Sequence, residues 1–195
     1  MGVISGSGGA PARSRALTRE RLVASATTLF ARHGVHAVTS HEIARSAGVA
    51  AGTFYLHFKD KQELFRKIVF EALASLKERL QKATAGGADP REVVRLRSAE
   101  LLSFAEERRD LVRILFGRKG EAASLGADVL DELIRWVEAD LRARAVSLEP
   151  AVAAQALVGM WARVLVWWAE LPREVSRRNV LESLIQLQLS GVIED

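Results

Sequence analysis

Apolar residues along this chain recur every three to four positions and almost never alternate, which is the helical period rather than the strand one. Leu22, Ala26, Leu29 and Phe30 make the first stripe, and Gly34 closes it. Thr18 reads as the N-cap of that helix, and Leu17 with Leu22 has the spacing of a hydrophobic staple. Ile43, Ala44 and Ala47 make a second, shorter stripe, and 50–56 a third. A long stripe follows over 60–85, carried by Leu64, Phe65, Ile68, Val69, Ala72, Leu73, Leu76 and Leu80. Gly86-Gly87 breaks it, and Asp89-Pro90 opens the next helix with proline in the first turn. Further helices are expected over 91–107, 110–116, 125–145, 150–171 and 173–192. The fold class is therefore all-α.

The segment Thr39–Lys61 carries the most local information. Thr39 and Glu42 have capping-box spacing, as do Asp60 and Glu63, with Asp serving as N-cap. Gly48 stands where a helix end needs positive φ. Two short helices joined by so tight a Gly-containing turn make a helix-turn-helix, whose second helix enters a DNA major groove. Lys61 falls in the first turn of the next helix, where the macrodipole disfavours a cation unless an anion docks there too. That points to a DNA phosphate at Lys61, with a solvated surface lysine as the alternative.

The residues Thr39, Ile43, Ala44, Ala47, Gly48, Val49, Gly52, Thr53, Phe54, Tyr55, Phe58, Lys61 and Leu64 stand without gaps in a pattern that resembles the DNA-binding signature of the TetR family of bacterial repressors. The resemblance covers residues 17–66. It departs at Ala50, where a serine often caps the recognition helix, and at His57, where a second tyrosine is common. It implies a three-helix DNA-binding head and a six-helix-type ligand-binding and dimerisation body over 67–195. It also implies a homodimer through a four-helix bundle of the two C-terminal helices of each chain.

Charge sharpens this picture. Residues 1–67 hold ten Lys/Arg against four Asp/Glu, an excess of +6, whereas 68–195 hold 18 against 20, or −2. The whole basic excess lies with the helix-turn-helix, as a polyanion-binding end requires. There is no cysteine, which excludes disulfides and thiolate metal sites. Residues 1–16 are Gly/Ser-rich, lack the apolar run of a signal peptide, and read as a disordered arm, either a solvated tail or one whose Arg13 and Arg15 reach towards a minor groove. The stretch 150–171 has membrane-spanning length, but Arg163 and Gln155 within it argue for a helix buried on every side inside protein.

For DNA the candidates are Ser40, His41, Ala51, Gly52, Thr53, Tyr55, His57 and Lys61. Small groups at the start of the recognition helix allow close approach to a thymine methyl, and Tyr55 and Lys61 resemble the family's phosphate-contact positions. For a small apolar or amphipathic effector the candidates are Arg97, Leu101, Phe104, Phe116, Trp136, Met160, Trp161, Arg163 and Trp167. Aromatic side chains suit an apolar cavity, and an arginine among apolar neighbours requires a carboxylate or an anionic ligand. Gly159, Ala156 and Ala162 permit close approach of a partner helix, with Gln186 and Gln188 at its border.

No catalytic constellation, cofactor motif or metal-ligand set is expected; His33 and His36 straddle the helix-ending Gly34. The expected function is a cytoplasmic, nucleoid-associated repressor that binds a palindromic double-stranded DNA operator as a dimer, without a membrane partner, and is released by its effector. Two other classes fit the same residues. One is an effector-independent DNA-binding repressor. The other is a helical lipid-binding protein or enzyme with a helix-turn-helix-like head.

Overall fold

The computed structural model describes residues 9–86, 89–116, 122–144, 147–170 and 175–190, and these are helical throughout their ordered elements. The helices are α1 (Gly9–His33), α2 (Ser40–Ser46), α3 (Ala51–Tyr55), α4 (Lys61–Thr84), α5 (Pro90–Glu107), α6 (Arg109–Phe116), α7 (Ala123–Ala143), α8 (Pro150–Glu170) and α9 (Arg177–Leu189). The chain divides into two compact units, Met1–Val69 and Phe70–Asp195, with the division inside α4.

In the first unit, Leu22, Ala26 and Phe30 of α1 meet Ile43 and Ala44 of α2, Phe54 of α3, and Leu64 and Phe65 of α4 in a core that is almost fully closed to solvent. Phe30 and Phe65 pack edge to face at 5.4 Å. Gly34 (φ 80°) ends α1, and Gly48 (φ 70°) makes the turn between α2 and α3, both as expected for left-handed positions.

The beginning of α1 corrects the sequence reading. Residues 9–16, expected as part of a disordered arm, are helical; residues 1–8 lie outside the described region. Thr18 is not an N-cap but sits inside the helix, where its Oγ1 donates to the Ser14 carbonyl at 3.0 Å. Leu17 is 51% exposed, so it staples nothing.

In the second unit, Leu102 of α5, Trp161 and Trp168 of α8, and Val180 and Leu184 of α9 form one cluster. Ala105, Val112, Val166 and Ala169 form another between α5, α6 and α8. Caps fix the ends: Asp89 accepts from the Arg91 N–H at the start of α5, and Ser176 from the Asn179 N–H at the start of α9. The expected start of that helix at Arg173 falls outside the described residues. Ion pairs tie the helices together, with Lys77 on Glu132 at 2.6 Å, Arg177 on Glu106 at 3.0 Å, and Arg79 on both Glu100 and Glu107.

Helix α8 is not buried on every side. Ala154, Val158, Trp161, Val166, Trp168 and Ala169 face the core. Val152, Gln155, Ala156, Gly159 and Arg163 stand exposed along the opposite stripe. By length and composition α8 is apolar enough to cross a membrane, yet its inward face packs against neighbouring helices of this unit.

Candidate nucleic-acid interface

The helix-turn-helix is held by local bonds that the sequence dictates. The Thr39 hydroxyl accepts from the Glu42 N–H at 3.2 Å, and Glu42 Oε2 accepts from the Thr39 N–H at 2.8 Å, completing the capping box. These bonds, chiefly that to the Thr39 backbone, hold the Glu42 carboxyl below the usual carboxylate range. The second box differs in one arm. Asp60 accepts from the Glu63 N–H at 2.7 Å as expected, but Glu63 reaches one residue further back, to the Lys59 N–H at 2.6 Å. Ala50 supplies no side-chain cap to α3. Its carbonyl accepts from the Thr53 N–H at 2.9 Å, and Phe54, fully buried, anchors the helix from within.

That anchoring sends the other side chains of α3 outwards. Gly52 is exposed and Tyr55 is 52% exposed. Ala51 and Thr53 are half-buried beside them. From α2, His41 is exposed and sets its ring edge to face against Tyr55 at 6.4 Å, while Ser40 is half-buried in the first turn. Ser40, His41, Ala51, Gly52, Thr53 and Tyr55 therefore belong to the two helices of one motif. His57 lies just beyond α3, towards α1: burial first, then the charges of Arg15 and Arg19, hold its imidazole below the usual histidine value.

Lys61 has a structural partner set that the sequence reading lacked. Its Nζ donates to the His36 carbonyl at 2.9 Å and the Val38 carbonyl at 2.8 Å. The ammonium thus binds the α1–α2 loop, and a phosphate is not needed to offset its place in the first turn of α4. Lys61→Ala is expected to destabilise the first unit by about 1–3 kcal/mol, because two loop carbonyls lose a charged donor. Thermal denaturation of the DNA-free chain checks this, with Lys61→Gln expected to recover part of the loss; an unchanged melting midpoint in Lys61→Ala overturns the role.

The effector candidates in the second unit separate into three kinds. Trp161 is buried in the α5–α8–α9 cluster, with Leu101, Met160 and Trp167 packed against it, so this group is core. Arg97 pairs with Asp140 at 2.7 Å, and Asp140 also accepts from Arg144 Nε at 3.0 Å; of the two partners expected for this arginine, the structure supplies the internal carboxylate. Burial would raise the Asp140 carboxyl, but the bonds from Arg97 and Arg144 outweigh it and leave it low. Arg163 is exposed, not set among apolar neighbours. Phe104, Phe116 and Trp136 are half-buried, Phe104 with the Arg79 guanidinium 5.8 Å from its ring centre. Gln188 turns inward, donating to Ser98 Oγ at 3.1 Å, whereas Gln186 is exposed. Among the described residues no cluster of three or more His, Asp or Glu has the arrangement of a metal site.

Comparison with known proteins agrees with this geometry. Residues 22–68 match the model of bacterial regulatory proteins of the tetR family. The chain is 35% identical over 103 residues to the HTH-type transcriptional regulator AcrR of Shigella flexneri, covering 51% of this chain and 48% of that protein. It spans about half the length of the curated relatives it matches. The fold over nearly its whole length is that of the fatty acid degradation regulator FadR from Bacillus halodurans (TM-score 0.78, 19% identity, 91% and 97% of the two chains). It is also that of FadR from Bacillus subtilis in complex with stearoyl-CoA (TM-score 0.72, 20% identity, 89% and 99%). The matched residues, 22–68, hold the capped helix-turn-helix with its exposed outer face, so this part of the chain is similar to the DNA-binding region of the tetR family of bacterial regulatory proteins.

Proposed function

We propose that the chain is a ligand-responsive transcriptional repressor that binds a palindromic DNA operator as a dimer in the cytoplasm, on the nucleoid. The observation that carries this reading is the outward face of α3. Tyr55 and Gly52 are exposed on a helix anchored by the buried Phe54, in the part of the chain that holds the entire basic excess. Ala51, Gly52 and Thr53 would approach the bases, and Ser40, His41, Tyr55 and His57 the backbone. Lys61 has one ammonium hydrogen left for a phosphate after its two carbonyls. Selection of bound duplexes from a random pool tests the reading. The expected product is an inverted repeat with half-sites about 34–36 Å apart, or a multiple of that. Enrichment of no sequence, or of single half-sites only, counts against it.

The dimer would form over the exposed stripe of α8. Val152 is 67% exposed there, Gln155, Ala156, Gly159 and Arg163 flank it, and Leu187 of α9 is 41% exposed. A Cβ at Gly159 would meet nothing within 4 Å in the single chain. Gly159→Leu is therefore expected to leave the monomer folded while forcing partner helices apart, which size-exclusion chromatography with light scattering would read as loss of the dimer. A dimer of unaltered affinity would place the contact elsewhere.

The effector is read as a small apolar or amphipathic molecule. The B. subtilis FadR complex with stearoyl-CoA supports that class, as do the half-buried Phe104, Phe116 and Trp136 of the second unit. An effector releases DNA only by binding the non-binding state more tightly. Loss of operator binding on adding long-chain acyl-CoA tests the class.

A further inference from the structure

Beside the recognition helix lies a cleft of about 290 Å³, lined by Ala12, Arg15, Ala16 and Arg19 of α1 and by His57. It exists because α1 begins at Gly9; a disordered arm would leave His57 without these neighbours. Arg15 donates to the Leu56 carbonyl at 3.4 Å, which turns its guanidinium towards the end of α3. The Arg19 guanidinium lies 5.2 Å from the centre of the Phe58 ring, against its face. The small side chains of Ala12 and Ala16 leave the floor open.

Three groups that are cationic or can become so are gathered here, and among the described residues no carboxylate pairs with any of them. The second unit behaves differently: Arg79, Arg97, Arg144, Arg177 and Arg178 each rest on an Asp or Glu. Concentrating like charge without a counter-ion costs stability, and an incoming anion relieves that cost. We propose that this cleft holds a backbone phosphate of the duplex, with Arg15 and Arg19 as permanent donors and His57 as a third donor that binds its proton when the phosphate arrives. The inference rests on the proposed DNA-binding function and adds a second contact region, on α1, to the helix-turn-helix.

Its consequence is proton linkage. Without the phosphate, burial and the two arginines disfavour the imidazolium. Among the described residues, the charged groups facing His57 are these two, both from α1. A phosphate between them reverses the local field and raises the histidine's affinity for a proton. Duplex binding then takes up a proton, so affinity rises as pH falls through the histidine's range.

The test is duplex affinity of the full-length chain between about pH 5 and about pH 8 at fixed salt, for the unmodified chain, His57→Gln and Arg15→Gln. The unmodified chain is expected to bind up to about tenfold more tightly per unit fall in pH, and His57→Gln to lose that part of the slope. Arg15→Gln, at an exposed position, is expected to keep the fold and lower the salt slope by about 0.9. Nuclear magnetic resonance of the His57 ring on adding inorganic phosphate, without DNA, is expected to show the imidazole titrating at higher pH. Equal pH slopes for the unmodified chain and His57→Gln, with duplex binding intact, overturn the cleft but leave the proposed function standing. Absence of duplex binding at low salt in every variant overturns the proposed function itself.

Discussion

Phe54→Ala is expected to unfold the helix-turn-helix and abolish duplex binding in every salt condition. Phe54 is 0% exposed and packs its ring 5.9 Å from that of Phe58. Truncating a fully buried phenylalanine costs about 3–5 kcal/mol. A unit of about 60–70 residues has a total stability of about 3–10 kcal/mol by the usual per-residue range, so the loss is comparable to the whole. No side chain caps α3, which leaves this ring as its main hold on the core. Circular dichroism melting and backbone amide spectra of the full chain would show the first unit losing its dispersion while the second keeps it. Phe54→Leu, which preserves most of the volume, is expected to cost less than about 1.5 kcal/mol. An unshifted melting curve for Phe54→Ala would contradict the packing described here.

The second large effect is expected at Gly126, in the first turn of α7. A Cβ built there would lie 2.5 Å from the Leu115 carbonyl oxygen and 3.4 Å from Phe116 Cδ1. The obstacle is backbone, so no rotamer change removes it, and α6 or α7 must shift. Alanine normally stabilises a helix relative to glycine by about 1 kcal/mol. Here overpacking of about 1–3 kcal/mol should outweigh that gain, and Gly126→Ala should melt below the unmodified chain. A raised melting temperature would mean that the two helices are further apart than the contact implies.

What was legible in the sequence was what local bonds decide. Thr39 and Glu42 are three residues apart, so their capping box follows from spacing alone, and Gly34 and Gly48 mark positive φ without reference to the rest of the fold. The loop contact of Lys61 was not legible because its acceptors, the carbonyls of His36 and Val38, are 25 and 23 residues away; a helix-dipole argument knows only the near end of that contact. The start of α1 was hidden because the Gly/Ser-rich run over 1–16 carries no apolar stripe. Proline is tolerated in a first turn, where its missing N–H has no acceptor to lose, and Pro11 occupies that turn.

Arg163 offered a usable signal that the apolar run around it masked. It follows Val152, Ala156 and Gly159 at helical spacing, on a stripe of small or polar residues opposite Trp161. The tryptophans illustrate a harder limit. Periodicity assigns Trp161 and Trp168 to the inside of α8, but whether the inside is a void or a packed cluster depends on α5 and α9, which no single helix encodes.

The manner in which α3 is held has an evolutionary corollary. Its fixity derives from one inward ring and the turn before it, and a Cβ at Gly52 would meet nothing within 4 Å. Positions 52 and 55, both exposed, are thus under little architectural constraint. On the proposed function, a lineage can rewrite the letters it recognises by point changes at those sites without first acquiring compensating mutations in the scaffold, so duplicated copies are free to drift to new addresses.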